Sequence, residues 1–322
     1  DAPPELSLAS SLRRLTLSMT SLGWTKGANQ SGNLNSDAAL AEVPEVNSLT
    51  LDAGGRTLEG TLGFDATGFT GAEFSQLKVG EWRDASVSLT PRKPGQDPAI
   101  VLTGGEFDLR NFDRGPSNGG GNGGKGSPID VQLDRLIVSD GLALSPISGN
   151  IVQLGSGLSG DFTGRVNGKT QVTGSLAPAN AGTAIRVRSD SASGVLRDAG
   201  LTPNARGGTL DLVLTPVVGA PGGTYDGEFL MEDMRLRKAP VMADLLDAIS
   251  IIGLLDQLDG PGIRFETVDG QFRLTPQAVI LRQMAAVGGS IGISADGVYN
   301  LISKEMDFQG VISPIYFVNG LG

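Results

Sequence analysis

The fold is decided by residues 225–322, which begin YDGEFLMEDMRLRKAPVMADLLDAISIIGLLDQLDGPGIRFETVDGQFRL (225–274) and close MDFQGVISPIYFVNGLG (306–322). The opening segment, YDGEFLMEDMRL, reads as a strand. A helix is expected over about 240–258, with Pro240 at its first position, where a missing N–H costs nothing, and Gly-Pro-Gly at 260–262 ending it. Val241, Leu245, Ile249, Ile252 and Leu255 recur at helical spacing, and Leu246, Leu254 and Leu258 widen that stripe. So apolar a helix needs cover on more than one side, or lipid. The strands IRFETV, QFRL, AVILRQM, SIGISAD, GVYNLI and MDFQGVI follow. Turns are expected between them at Asp269-Gly270, Thr275-Pro276, Gly288-Gly289 and Asp296-Gly297, because Asp-Gly pairs favour hairpins.

Working back toward the N-terminus, the same texture recurs. In DFTGRVNG (161–168) Phe162 alternates with Gly164 and Val166, and in TAIRVRS (183–189) Ile185 and Val187 alternate with Arg186 and Arg188. A period of two marks half-buried strands with one wet face. SDSASGVLRDAG (189–200) is expected to hold a short helix or turn near Val195 and Leu196. Residues 46–109 alternate between glycine-rich breaks, with a hairpin expected across Gly104-Gly105. NFDRGPSNGGGNGGKGSP (111–128) reads as a linker. It is no phosphate-binding loop, since Lys125 is followed by Gly126 and by strand rather than helix. The expected organisation is an N-terminal β segment over 1–110, the glycine-rich linker over 111–128, and a β region with its helix over 129–322.

Composition narrows the chemistry. The 322 residues include 48 glycines and neither histidine nor cysteine, with a net charge of −10. Histidine-based triads, thiol nucleophiles and Cys/His zinc sites are therefore excluded. An acidic chain is a poor nucleic-acid partner. Small basic clusters stand at Arg235, Arg237 and Lys238 and at Arg186 and Arg188, and solvated strand edges account for them. Asp244 and Asp247, three apart on the helix, suit a carboxylate pair or hard-metal site by type. No further oxygen ligands recur at fixed spacing, and favourable charge near a helix N-terminus explains them as well. Ser250 has no base partner. No metal, cofactor or catalytic residue is expected, and the chain does not read as an enzyme.

No apolar run is long enough to span a bilayer. The start, DAPPELSLAS, does not resemble a native translation start, and FVNGLG stops within continuing structure. The chain therefore reads as part of a longer protein, with any membrane anchor outside it.

What remains is a surface. Alternating strands bury one face against a second sheet, as in a sandwich, or leave it open as a curved groove. An open face suits acyl chains, which need apolar area and few directional contacts. About twenty strands at roughly 4.8 Å spacing make a trough on the order of 100 Å. Candidate lining residues are Phe265, Phe272, Leu274, Ile280, Ile291, Ile293, Met306 and Phe308.

Residues 155–322 resemble the C-terminal region of the AsmA-like envelope proteins of Gram-negative bacteria. The resemblance is carried by Lys238, Ala239, Pro240, Leu245, Leu246 and Ser250, by Gly262, Ile263 and Phe265, and by Gly310, Pro314, Tyr316 and Asn319. It implies a mostly β fold, an elongated, curved, taco-like antiparallel sheet with an open groove, related to bridge-like lipid transfer proteins. The helix would pack near the groove's end. The resemblance further implies a periplasmic protein anchored in the inner membrane. Its task would be to carry phospholipid between inner and outer membranes and so support outer-membrane lipid homeostasis. Its partners would be phospholipids, both membrane surfaces and other envelope proteins. The competing expectation is a periplasmic scaffold or assembly factor for outer-membrane proteins, docking through strand edges.

Overall fold

The computed structural model describes residues 4–19, 24–41, 44–53, 57–78, 82–93, 96–110, 126–248 and 252–314. The chain divides into two compact units, Asp1–Gly155 and Ser156–Gly322. Each is built on a largely antiparallel sheet. No helix among the described residues is long and apolar enough to cross a membrane.

The first unit opens with β1 (Glu5–Ser10), β2 (Leu17–Met19) and β3 (Trp24–Lys26), of which β2 and β3 pair with each other. Then come β4 (Asn33–Leu40), β5 (Pro44–Asp52), β6 (Thr57–Asp65) and β7 (Gly68–Lys78). β4 pairs antiparallel with β1, and β5 to β7 each pair with the strand before. β8 (Trp82–Arg83), β9 (Ala85–Thr90), β10 (Ala99–Thr103), β11 (Glu106–Asp108), β12 (Pro128–Leu133), β13 (Arg135–Ser139) and β14 (Leu142–Leu154) complete it. β9 joins β7 to β10, and β14 takes both β12 and β13 along one edge.

The hairpin expected across Gly104-Gly105 does not form. β10 and β11 run on in one direction, parallel to β12 and β13 and antiparallel to β9 and β8, and the register stays constant from Thr103↔Gln132 to Glu106↔Arg135. Two successive left-handed glycines, Gly104 (φ 65°) and Gly105 (φ 67°), bend the strand instead of reversing it. The bend crosses three strands. Gly105 N donates to Asp134 Oδ2 at 2.9 Å, and Asp134 N donates back to Gly105 O at 3.1 Å. On the other side a Cβ on Gly105 would meet Arg83 O at 2.4 Å. A parallel pair also needs a long connection. The glycine-rich run lies in the connection between β11 and β12, and residues 111–125 of it fall outside the described residues.

The second unit is a meander. β15 (Gly157–Val166), β16 (Thr170–Ala179), β17 (Gly182–Ser189), α1 (Ala192–Asp198), β18 (Ala205–Pro216), β19 (Tyr225–Leu236), α2 (Pro240–Ala248), α3 (Ile252–Asp259), β20 (Ile263–Leu274), β21 (Ala278–Val287), β22 (Ile291–Asn300) and β23 (Met306–Pro314) follow in order. Each strand from β16 on is antiparallel to its predecessor. Among the described residues β15 and β23 do not pair with each other, so the sheet is not closed into a barrel. The mostly β, open antiparallel fold with a short helix near the C-terminal region is what the sequence leads one to expect.

Two expected turns are corrected. Asp269-Gly270 lies inside β20, in register with β19 and β21, and Asp296-Gly297 lies inside β22, with Gly297 in register with β21 and β23 and Asp296 facing the bulge of β21. These glycines make room for aromatic rings. A Cβ on Gly270 would stand 2.8 Å from Phe229 Cζ, and one on Gly297 2.5 Å from Phe308 Cδ1.

The expected helix over 240–258 is two helices, α2 and α3; residues 249–251 between them lie outside the described residues. Leu246 (0% exposed), Leu254 and Leu258 (0%) meet Met234, Ile263, Phe265, Ala286 and Ile291 of the sheet. Each fully buried aliphatic side chain contributes about 1.5–3 kcal/mol. Lys238 N donates to Leu258 O (3.0 Å) and Gly262 N to Gln257 O (2.7 Å), which fixes the helices at both ends of the excursion. α1 is expected from the sequence and present. Ser191 caps it by accepting from Gly194 N, and Asp198 holds it against β16 by accepting from Thr170 Oγ1 at 2.6 Å.

Candidate functional site

The second unit's sheet has one apolar face and one polar face, because the side chain alternates sides with each residue. Following the register from strand to strand gives rows of residues across the sheet. One row runs Phe162–Gly174–Val187–Leu212–Phe229–Gly270–Met284–Ala295–Gly310. The next runs Gly160–Leu176–Ile185–Leu214–Gly227–Phe272–Leu281–Gly297–Phe308. Neither contains a charged or hydrogen-bonding side chain. A third, shorter row adds Tyr225, Leu274, Val279, Tyr299 and Met306.

The two ends of this face differ. Toward α1, α2 and α3 the side chains of Ala205, Met234, Ile263, Phe265 and Ile291 are buried under the helices. Away from them Leu176, Ile185, Val187, Leu212, Leu214, Phe229, Phe272, Leu281 and Met284 are only half-buried, and Phe308 (46% exposed) and Met306 (68%) are open to solvent. Among the described residues of this unit no helix covers those rows. The result is an open apolar groove, capped at one end.

The opposite face is charged, and over β17 to β21 arginines and aspartates pair on it. Arg186 binds Asp211 through Nε (2.8 Å) and Nη2, and Arg188 reaches the same carboxylate. Arg273 forks onto Asp226 at 3.0 and 2.9 Å, joined by Arg282 at 3.1 Å. The bond from Arg186 holds the Asp211 carboxyl below its ordinary range, and the bond from Arg273 does the same for Asp226. These pairs keep their charge on the wet face.

The expected lining residues divide. Phe272, Leu274, Met306 and Phe308 stand on the open rows. Ile293 packs beside the helical cap, and Phe265 and Ile291 lie beneath it. Ile280 is on the other face, opposite Arg273 and Val298, because the bulge at Arg282 sets the alternation of β21. On the helices, Leu255 packs against the cap; the side chains of Val241, Leu245, Ile249 and Ile252 lie outside the described residues. Asp244 and Asp247 are exposed. No group of three or more metal-ligating side chains forms among the described residues. The floor residues on β18 and β19, Leu212, Leu214 and Phe229, are absent from the expected lining, although the alternation in TLDLVLTP (209–216) carries the signal.

No family model matches the chain, and no curated protein or solved structure matches it.

Proposed function

We propose that this protein binds phospholipid by its acyl chains along the apolar face of the second unit and carries it between the membranes of a bacterial envelope. One observation carries the reading: two uncharged rows cross nine strands, half-buried, with the helical cap over one end only. Burying about ten methylenes there contributes on the order of 8 kcal/mol, which needs no directional partner. Headgroups would remain at the wet margin. The resemblance to AsmA-like proteins supports the periplasmic setting and an inner-membrane anchor, and it is the ground for naming phospholipid. The sequence offers no nucleotide-binding loop, so movement along the groove would be diffusive.

The test is retention of lipid. Delipidated protein is incubated with labelled phospholipid and passed through gel filtration, and the eluted species is weighed by native mass spectrometry. Stoichiometric co-elution is the expected result. A chain that stays free of lipid, but captures an outer-membrane protein through a strand edge, overturns the reading in favour of a scaffold.

A further inference from the structure

Among the described strand registers of both units, like charges face each other directly in one place. Arg206 stands opposite Arg235, and Arg235 opposite Arg264. Elsewhere a charged residue meets its opposite, as in Arg188↔Asp211 and Asp226↔Arg273, a polar group, as in Glu228↔Gln271 and Asp296↔Gln309, or an apolar side chain, as in Arg186↔Val213 and Arg273↔Ile280. Side chains directly opposed on one face have Cβ atoms about 5 Å apart, and like charges placed so are destabilising. A chain of net charge −10 has nonetheless assembled three arginines in a line.

The row lies on the polar face. Its neighbours Ala205, Met234, Leu236, Ile263 and Phe265 turn to the helical cap, and the three arginines are exposed. Their local compensation is partial. Arg264 bonds Asp233 at 2.5 Å, with Glu266 close enough to favour its charge. Arg206 donates to the carbonyls of Pro203 and Ala205. Arg235 and Lys238 form no ion pair among the described residues. Beside them Arg237 lies against Gly262 and leaves its buried Nε without a hydrogen-bond partner.

We propose that Arg206, Arg235 and Arg264, with Lys238, dock this end of the second unit on a bilayer surface by binding the phosphates of anionic phospholipid. Guanidinium forks match phosphate oxygens in pairs. Three of them on an open sheet face suit an array of phosphodiesters better than a single enclosed anion. The exposed acids of α2 and α3, among them Asp244 and Asp256, belong to the helices, while Glu232, Asp233 and Glu266 flank the row itself and leave the four basic residues a small positive excess. The choice of phospholipid as the anion rests on the function proposed above; the positive row does not.

The full chain is floated with phosphatidylcholine vesicles and with mixed phosphatidylcholine–phosphatidylglycerol vesicles at low and high salt. Binding to the mixed vesicles alone, lost at high salt, is expected. Replacing Arg206 and Arg235 by Gln weakens it about thirtyfold, from the usual effect of two basic residues at an anionic surface. Arg235→Lys retains most binding. An equal charge change at Arg186 and Arg188, where Asp211 already compensates, shifts affinity less than about threefold. The groove is read on the same proteins by lipid retention in gel filtration, which the row variants should keep. The docking is overturned if the parent ignores the mixed vesicles or binds both kinds alike, if the double variant binds like the parent, or if it loses vesicle and groove lipid together. A parent that retains groove lipid while ignoring the vesicles leaves the function standing and removes the docking alone.

Discussion

The ring of Phe272 lies over Gly227 on the neighbouring strand: a Cβ added to Gly227 would stand 2.2 Å from Phe272 Cζ and 2.5 Å from both Cε atoms. The arrangement recurs at Phe162 over Gly174, where the distance is 2.1 Å, and at Phe229 over Gly270. Phe229 and Phe272 themselves stand 6.2 Å apart, tilted by 40°. Rings laid down on glycines keep the floor low and continuous. Gly227→Ala should lift the Phe272 ring and destabilise the unit by about 1–3 kcal/mol, the usual cost of overpacking. Gly288→Ala should cost more, since its Cβ would meet the backbone carbonyl of Arg264 at 2.1 Å, and a carbonyl held in the sheet cannot swing away. Urea unfolding of both variants checks the ranking.

Charge placed on the floor should abolish lipid retention while sparing the fold. Leu212 and Met284 lie in the same apolar row and are half-buried, so an aspartate at either can reach water but leaves a carboxylate among acyl chains. Leu212→Asp with Met284→Asp is expected to elute free of phospholipid. Ile280→Asp, on the opposite face beside Arg273, is expected to keep it. Equal loss in both would mean that the two faces do not differ in function.

How far the sequence is legible follows from the same glycines. Alternation in DFTGRVNG and TAIRVRS identifies strands correctly, because one face of each is wet. Asp269-Gly270 and Asp296-Gly297 mislead, because a glycine beneath a ring and a glycine in a turn look alike when the ring comes from another strand. Gly104-Gly105 misleads for a related reason: left-handed residues can bend a strand as well as reverse it, and only the parallel partner β12/β13 decides. The apolar helix is legible from its Leu spacing. Which of its faces meets the sheet is not, since the stripe runs round much of the circumference. The groove floor is legible as pattern, but its openness depends on where the helices stop.

The cap depends on two leucines. Leu246 of α2 and Leu258 of α3 are fully buried against β19, β20 and β22. Truncating either to Ala leaves a cavity and should cost about 2–5 kcal/mol. Hydrogen exchange should then rise first in α2 and α3, which touch the sheet mainly through these contacts, and later in the strands beneath.

A buried lysine fastens the first unit. Lys26 is 1% exposed, and its Nζ donates to the carbonyls of Leu12 (2.8 Å), Leu15 (2.9 Å) and Gly27 (3.2 Å). Those carbonyls belong to the irregular excursion between β1 and β4, where Leu12 O and Gly27 O also accept from Leu15 N (3.4 Å) and Gln30 N (3.1 Å). Lys26→Met fills similar space but donates nothing. It should destabilise the first unit by about 1–3 kcal/mol, the cost of removing a buried donor shared by three carbonyls. Limited proteolysis should find new cleavage sites within residues 11–32.

Acid should loosen α1 through Asp198. Its side chain is 1% exposed and accepts from Thr170 Oγ1 (2.6 Å), Thr170 N (3.1 Å) and Arg197 Nε (3.2 Å). The Thr170 bond first, then Arg197, holds the carboxyl below its ordinary value of 3.8. A carboxyl with a depressed value in the fold binds fewer protons there than in the unfolded chain. Its contribution is therefore complete above 3.8 and is lost as the pH falls through the lower folded value. Asp198→Asn keeps the shape but removes the titration, so it should be less stable than the parent near neutrality. The two should converge once the pH has fallen below the folded value of Asp198, where both side chains are neutral. The parent and the variant will share a remaining acid limb, because Asp211 and Asp226 are also held low by their arginines. A stability gap that stays constant from neutral pH to strong acid would show that Asp198 does not act through its charge.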